Sequence, residues 1–330
     1  MSNDDTKKKF DKANIDNACI GIALGSGSAR GWAHIGVLQA LKEMGIEPHI
    51  VAGCSIGALV GAAYAGDQLD EMEAMVKALR WKDIVGYLDM SVIGGGLIQG
   101  DKIASFLREH VKEVDIESMP RRFAAVATDL DNGREVWLQQ GDLLEAVRAS
   151  AALPGLFTPY KQNGRWLVDG GLVDPVPVSL CRAMGAEIVI AVGLNVDIVG
   201  KYSRANHVQK KRLITHAPDK NEDENNLALW SRISNQLEKV MHLKKNILLS
   251  RLFGEKIESP GLVDVLAGSI NIMQDRISRS RMAGDPPDIM LSPRLSHLDL
   301  MEFDRGTVAI KEGVACVERM RAELEHIVSS

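Results

Sequence analysis

Two successive stretches near the N-terminus follow one plan, a short apolar run, a glycine-bearing turn and an apolar helix, and this repetition narrows the fold more than any other feature. Cys19-Ile20-Gly21-Ile22-Ala23-Leu24 is apolar without alternation, as in a strand buried on both faces. It runs into Gly25-Ser26-Gly27-Ser28-Ala29-Arg30-Gly31, after which Trp32 to Met44 carries Ile35, Leu38 and Leu41 at helical spacing and stops at Gly45. Ile50-Val51-Ala52-Gly53 then reads as a second strand, and Ile56 to Ala65 as a small Ala-rich helix able to pack tightly on a sheet. Strands joined through helices run parallel, so the two units predict a parallel sheet.

Further on, 68 to 119 reads as largely helical, interrupted at Gly94-Gly95-Gly96 and restarting with Asp101 as cap for Lys102 to Val111. Phe123 to Thr128 reads as a buried strand. Asp131-Asn132-Gly133 before Glu135 to Leu138 is a hairpin signal, and Asn163-Gly164 before Arg165 to Val168 is another. A Pro-punctuated turn at 175–177, a short helix and the strand Glu187 to Val192 complete an α/β body over 19–200. The charged stretch 201–226 reads as a linker. Residues 227–330 read as a mainly helical region, with an apolar stripe at Trp230, Ile233, Leu237, Val240 and Met241, a late strand at Pro287 to Leu291 and a closing helix from Thr307 to Ile327.

Composition removes several alternatives. With 45% hydrophobic and 25% charged residues, disorder throughout is excluded. The formal net charge of -5, from 39 basic and 44 acidic residues, gives no broad attraction to nucleic acid, which is not expected as a partner. Residues 1–18 are polar and read as a flexible arm without an export signal. Runs such as Ile188 to Leu194 fall short of the ~20 residues a spanning helix needs, so any membrane contact is expected to be peripheral, at the inner surface. Four cysteines without CxxC spacing point to a reducing, cytoplasmic setting, and eight histidines without HExxH spacing give no support for a metal.

Gly53-Cys54-Ser55-Ile56-Gly57 matches G-x-S-x-G between a strand and a helix. The turn is sharp, so glycines two before and two after the serine let its hydroxyl project, and the helix start favours negative charge. The plainer reading is a helix-capping serine. The Gly25 to Gly31 loop bares backbone donors suited to an oxyanion; as a phosphate cradle it lacks G-x-G-x-x-G spacing and a following Lys-[ST]. Asp169-Gly170-Gly171 places a carboxylate at a strand end with room beside it, or forms an ordinary acidic turn.

In this order the three elements resemble the patatin-like phospholipase family, over about Ile20 to Asn195. The runs Gly31 to Leu38, Ala149 to Gly155 and Asp174-Pro175-Val176-Pro177 share in the likeness. The resemblance implies a three-layer α/β/α fold with a mainly parallel central sheet. It also implies hydrolysis of lipid or other acyl esters by a serine-aspartate dyad, with neither histidine nor cofactor. Ser55 carries over as nucleophile and Asp169 as general base. Gly27 and Ser28, with Ser26 and Ala29 beside them, match the oxyanion loop, to which the Ile56 N–H adds a donor, and Arg30 matches its basic position. Gly25, Gly31, Gly53, Gly57, Gly170 and Gly171 complete the motifs. Ser26 and Ser28 stand where relatives commonly have glycine, a change that could narrow the loop or alter its backbone angles, and Asp174 stands where many have asparagine, as a structural turn residue or as a charge that could disturb titration of Asp169.

Three other readings compete. A Ser-Asp-His α/β-hydrolase would use His297, although Ser55 lies early for that fold; an acyl transferase would use the same serine. His34 is read as packed or helix-capping. A non-catalytic regulatory or adaptor protein would instead use the stripe at 227–252, with Lys239, Lys244, Lys245 and Arg251, to dock a partner or lie on lipid. The apolar helix in 201–330 is sufficient for a homo-oligomer.

Overall fold

Apolar strands without alternation need cover on both faces, and the chain supplies it from two sets of helices. The computed structural model describes residues 18–80, 96–98, 114–197 and 262–329. The expected arm, the Lys102 to Val111 helix, the 201–226 linker and the 227–252 stripe lie outside the described residues.

The first unit is β1 (Ile20–Leu24), a short 3-10 turn (Ser28–Trp32) and α1 (Ala33–Glu43); the second is β2 (Ile50–Cys54) and α2 (Ile56–Ala65), followed by α3 (Leu69–Ala78). Next come β3 (Gly96–Ile98), β4 (Arg122–Asp129), β5 (Glu135–Leu138), α4 (Leu143–Ser150), β6 (Gly155–Phe157), β7 (Tyr160–Gln162) and β8 (Arg165–Asp169). The chain continues through α5 (Val178–Ala183), β9 (Ile188–Val192), α6 (Leu262–Gly284), β10 (Ile289–Leu291), α7 (Gly306–Arg319) and α8 (Arg321–Ser329).

Strands β10, β9, β1, β2 and β4 lie side by side, all parallel, as the repeated units require. Beyond them the sheet turns antiparallel: β5 and β8 both pair with β4, and β7 pairs with β8, so both Asn-Gly hairpins form. Successive side chains of β1 go to opposite sides. Ile22 and Leu24 join a core with α1, α2, α4 and α7, whereas Ala23 joins a second core with Val178, Leu180 and Cys181 of α5. Three layers result.

Several local details differ from the sequence reading or add to it. At the expected glycine interruption, before the restart near Asp101, Gly96–Ile98 is a strand paired with β6, because glycine disfavours helix and the backbone pairs instead. The closing helix is two helices that meet at Met320, where φ is -109°. Helix α4 went unread, although Asp142-Leu143-Leu144-Glu145 carries a start signal and the Asp142 side chain accepts the Glu145 N–H at 2.8 Å. Finally, α7 packs directly on α1 through two glycines: a Cβ at Gly36 would come 1.9 Å from the Ile310 carbonyl oxygen, and one at Gly313 2.0 Å from that of Ala33.

Candidate active site

The site forms where two strands end against a third. Val126 of β4 pairs with both Cys54 of β2 and Trp137 of β5, which places β2 and β5 on opposite edges of β4. Ala127 pairs with Val136 of β5 and Asp169 of β8, so β8 shares the β2 edge and arrives from the other direction. β2 stops at Cys54 and β8 at Asp169, opposite neighbouring residues of β4, and their next residues turn away into helices. Ser55 Oγ therefore meets Asp169 Oδ2, donating a hydrogen bond of 2.6 Å across 114 positions of chain.

Ser55 has φ 57° and ψ -123°, a conformation that costs a non-glycine residue about 1–3 kcal/mol. It stands at the cap position of α2 without making a capping bond from its side chain, so the hydroxyl is left for Asp169. The tightness of the turn explains the flanking glycines: a Cβ at Gly53 would lie 2.4 Å from Ala58 Cα, and one at Gly57 2.1 Å from the Leu24 oxygen. The Ser55 N–H donates to Ser150 Oγ at 2.9 Å. Ser150 is fully buried at the end of α4, a supporting residue that motif reading quoted but did not single out.

Asp169 is held on every side. Its Oδ1 accepts the Gly171 N–H at 2.7 Å, its own N–H donates to the Ala152 carbonyl, and its carbonyl accepts from Thr128 Oγ1. Burial pushes its carboxyl up to about 6, against the opposing pull of the Ser55 and Gly171 hydrogen bonds. Gly170 packs with its Cα against the Val126 carbonyl, where a side chain would not fit. Asp174 is buried too, and burial raises its carboxyl although Arg281 lies 3.2 Å away. Arg281 also pairs with Glu135 at 2.7 Å.

The Gly25 to Gly31 loop lies beside this pair. Gly25 donates its N–H to Val192, Ser26 to Pro175 and Ala29 to Leu300, whereas the Gly27 and Ser28 N–H groups have no backbone acceptor among the described residues. Ser28, at φ 53°, is the second strained non-glycine residue of the site. The Ile56 N–H, opening α2, is likewise without a backbone acceptor among the described residues, as expected at a helix start. Gly31 leaves room for Ile56, whose Cγ1 would be 2.2 Å from a Cβ there. His34 is fully buried and bonds through Nε2 to the Gly25 carbonyl at 2.8 Å, so that nitrogen carries the proton. Burial lowers its pKa to about 4, and the ring is neutral at physiological pH.

A cavity of about 170 Å³ opens over Ser55 and Asp169, walled mostly by apolar side chains such as Leu59, Val147, Leu156, Phe157 and Phe303. Among the described residues its lining contains no histidine, and His297 is exposed elsewhere. Asn271 and Gln274 of α6 reach the cavity as well; motif reading did not find them, since an isolated amide in a helix carries no sequence signature. Among the described residues no cluster of three or more His, Cys, Asp or Glu could hold a metal, and no helix is long and apolar enough to cross a membrane.

Comparison with known proteins agrees with the motif order. Residues 22–182 match the family model described as Patatin-like phospholipase. An uncharacterised NTE family protein of Mycobacterium tuberculosis is 44% identical over 181 residues, 55% of this chain and 50% of that protein. Lysophospholipase nte1 of Emericella nidulans is 30% identical over 232 residues, 66% of this chain and 15% of that protein. The solved structure of VipD from Legionella pneumophila covers 91% of this chain and 66% of that one at 15% identity, with a TM-score of 0.48. The chain spans about half the length of the mycobacterial relative. Residues 22–182 therefore carry a patatin-like phospholipase domain.

Proposed function

We propose that the chain is a lipid acyl hydrolase working through a Ser55–Asp169 dyad and a covalent acyl-enzyme. The observation that carries this reading is the 2.6 Å bond from Ser55 Oγ to Asp169 Oδ2, made by a serine held at positive φ over an apolar cavity. Apolar walls suit an acyl chain, and one relative is named a lysophospholipase.

In the first half-reaction Ser55 Oγ attacks the ester carbonyl while its proton passes to Asp169 Oδ2. The Gly27, Ser28 and Ile56 N–H groups receive the oxyanion, each such donor contributing about 3 kcal/mol in comparable sites. The alcohol leaves with the proton from Asp169. Water then attacks the acyl-enzyme, gives its proton to Asp169, and the carboxylic acid departs as Ser55 Oγ is reprotonated. A carboxyl raised to about 6 is a better base than an exposed aspartate and is still ionised at neutral pH. No step calls for an imidazole.

Ser55→Ala and Asp169→Asn are expected to abolish hydrolysis of a p-nitrophenyl acyl ester, whereas His297→Ala keeps it. Unchanged turnover in either of the first two variants sinks the dyad. A lipid panel then reads the preference among phospholipids, lysophospholipids and simpler esters.

A further inference from the structure

Three consecutive residues of the glycine loop are each tied to chain that lies beyond the family match. Ser26 Oγ accepts a hydrogen bond from Gln274 Nε2 at 3.2 Å, and Gln274 Oε1 accepts from Asn195 Nδ2 at 2.9 Å. The Gly27 carbonyl accepts from Arg30 Nε at 3.3 Å, and the same guanidinium donates through Nη2 to Asn271 Oδ1 at 2.9 Å. Ser28 Oγ donates to the Leu300 carbonyl at 2.6 Å.

Asn271 and Gln274 stand three residues apart on α6 and so share a helix face. Both are buried, as is Arg30. Gln274 does more than hold Ser26. Its amide lies against Gly171, where a Cβ would come 2.3 Å from Nε2, and the Gly171 N–H is the group that holds Asp169 Oδ1. One side chain thus touches both the loop with the unclaimed N–H groups and the turn that carries the carboxylate.

We propose that Asn271 and Gln274 are positioning residues that aim the Gly27 and Ser28 N–H groups at the developing oxyanion, an inference that rests on the acyl hydrolase reading of Ser55 and Asp169. A donor stabilises a transition state only when it is aimed before the reaction, and a loop containing Gly25, Gly27 and Gly31 has little stiffness of its own. The strained φ at Ser28 also needs surrounding contacts to persist. Ser26 and Ser28 supply those contacts through their hydroxyls, which bond to Gln274 and to the Leu300 carbonyl. Ser26 and Ser28 thus anchor the loop to the C-terminal region.

Gln274→Leu and Asn271→Leu variants of the full chain test this, assayed on a p-nitrophenyl acyl ester beside wild type and Ser55→Ala, with circular dichroism and thermal melts to establish folding. Expected are a fall in kcat of about 10- to 100-fold, a KM within about threefold of wild type and an unmoved acid limb in the pH profile. Asn271→Asp, which keeps an acceptor for Arg30, recovers most of the loss. Ser26→Ala removes only the hydroxyl and gives the same kcat deficit, which decides the matter if the leucine variants do not fold. Wild-type kcat in a folded Gln274→Leu and Asn271→Leu pair, or in Ser26→Ala when neither folds, overturns the proposal. If wild type itself hydrolyses no ester and a fluorophosphonate does not label Ser55, the acyl hydrolase reading fails first and this inference falls with it.

Discussion

Ser55 and Asp169 share a hydrogen bond because their strands end opposite adjacent residues of β4, Cys54 facing Val126 and Asp169 facing Ala127. One strand in the middle of the sheet thereby sets the distance between a hydroxyl and a carboxylate that arrive from opposite directions. Sheet register is stiff, so the pair is aligned before any substrate binds.

The first prediction concerns pH. In the proposed mechanism Asp169, with its carboxyl near 6, accepts a proton from Ser55 only when ionised. Activity, read as kcat/KM for a soluble ester, is expected to be level above about pH 7 and to fall tenfold per unit below about pH 6. A limb near pH 4 would show that burial does not tune this base.

Stability moves the opposite way at the same residue. A carboxyl raised from 3.8 to about 6 binds its proton more tightly in the folded chain, so the fold loses stability as pH rises through that window and carries the full cost above it. The shift corresponds to about 3 kcal/mol at most. Asp169→Asn is expected to melt higher than wild type at pH 8, with the gap closing at pH 4. Matching melts at both values would refute this.

Arg281 guards another of the buried carboxyls, Asp174. It lies 3.2 Å from Asp174 and 2.7 Å from Glu135, and its removal leaves two acidic groups facing each other without a cation. Since burial already raises Asp174, the loss worsens as pH rises and Asp174 is forced to ionise. Arg281→Met is expected to lower Tm more at pH 9 than at pH 5, and adding Asp174→Asn to restore most of it; an equal loss at both pH values would contradict the pairing.

The contact between α1 and α7 leaves no room for a methyl group. Gly36→Ala would drive a Cβ to 1.9 Å from the Ile310 oxygen, which is backbone and moves only with its helix. A destabilisation of about 2 kcal/mol or more follows, measured by urea unfolding. Gly45→Ala is a useful contrast: nothing lies within 4 Å, and its cost comes only from φ 76°.

Much of this was legible in the chain itself. Unbroken apolar runs at Cys19 to Leu24 and Ile50 to Gly53 announce parallel strands covered on both faces, and the Asn-Gly pairs announce the antiparallel margin, because these signals depend on neighbours a few residues away. G-x-S-x-G and Asp-Gly-Gly point to the candidate residues of the site for the same local reason. Their meeting does not follow from spacing, since the 2.6 Å contact between Ser55 and Asp169 depends on where two strands stop along a third. Nor does the sequence reveal that Ser26 and Ser28, which look like defects in a glycine loop, have partners at Gln274 and Leu300, more than 240 residues away. The motifs determined which residues the proposed chemistry draws on, because backbone conformation and residue type are local properties. Only the tertiary structure decided how that chemistry is aimed, because strand register and helix docking are set by packing between distant segments.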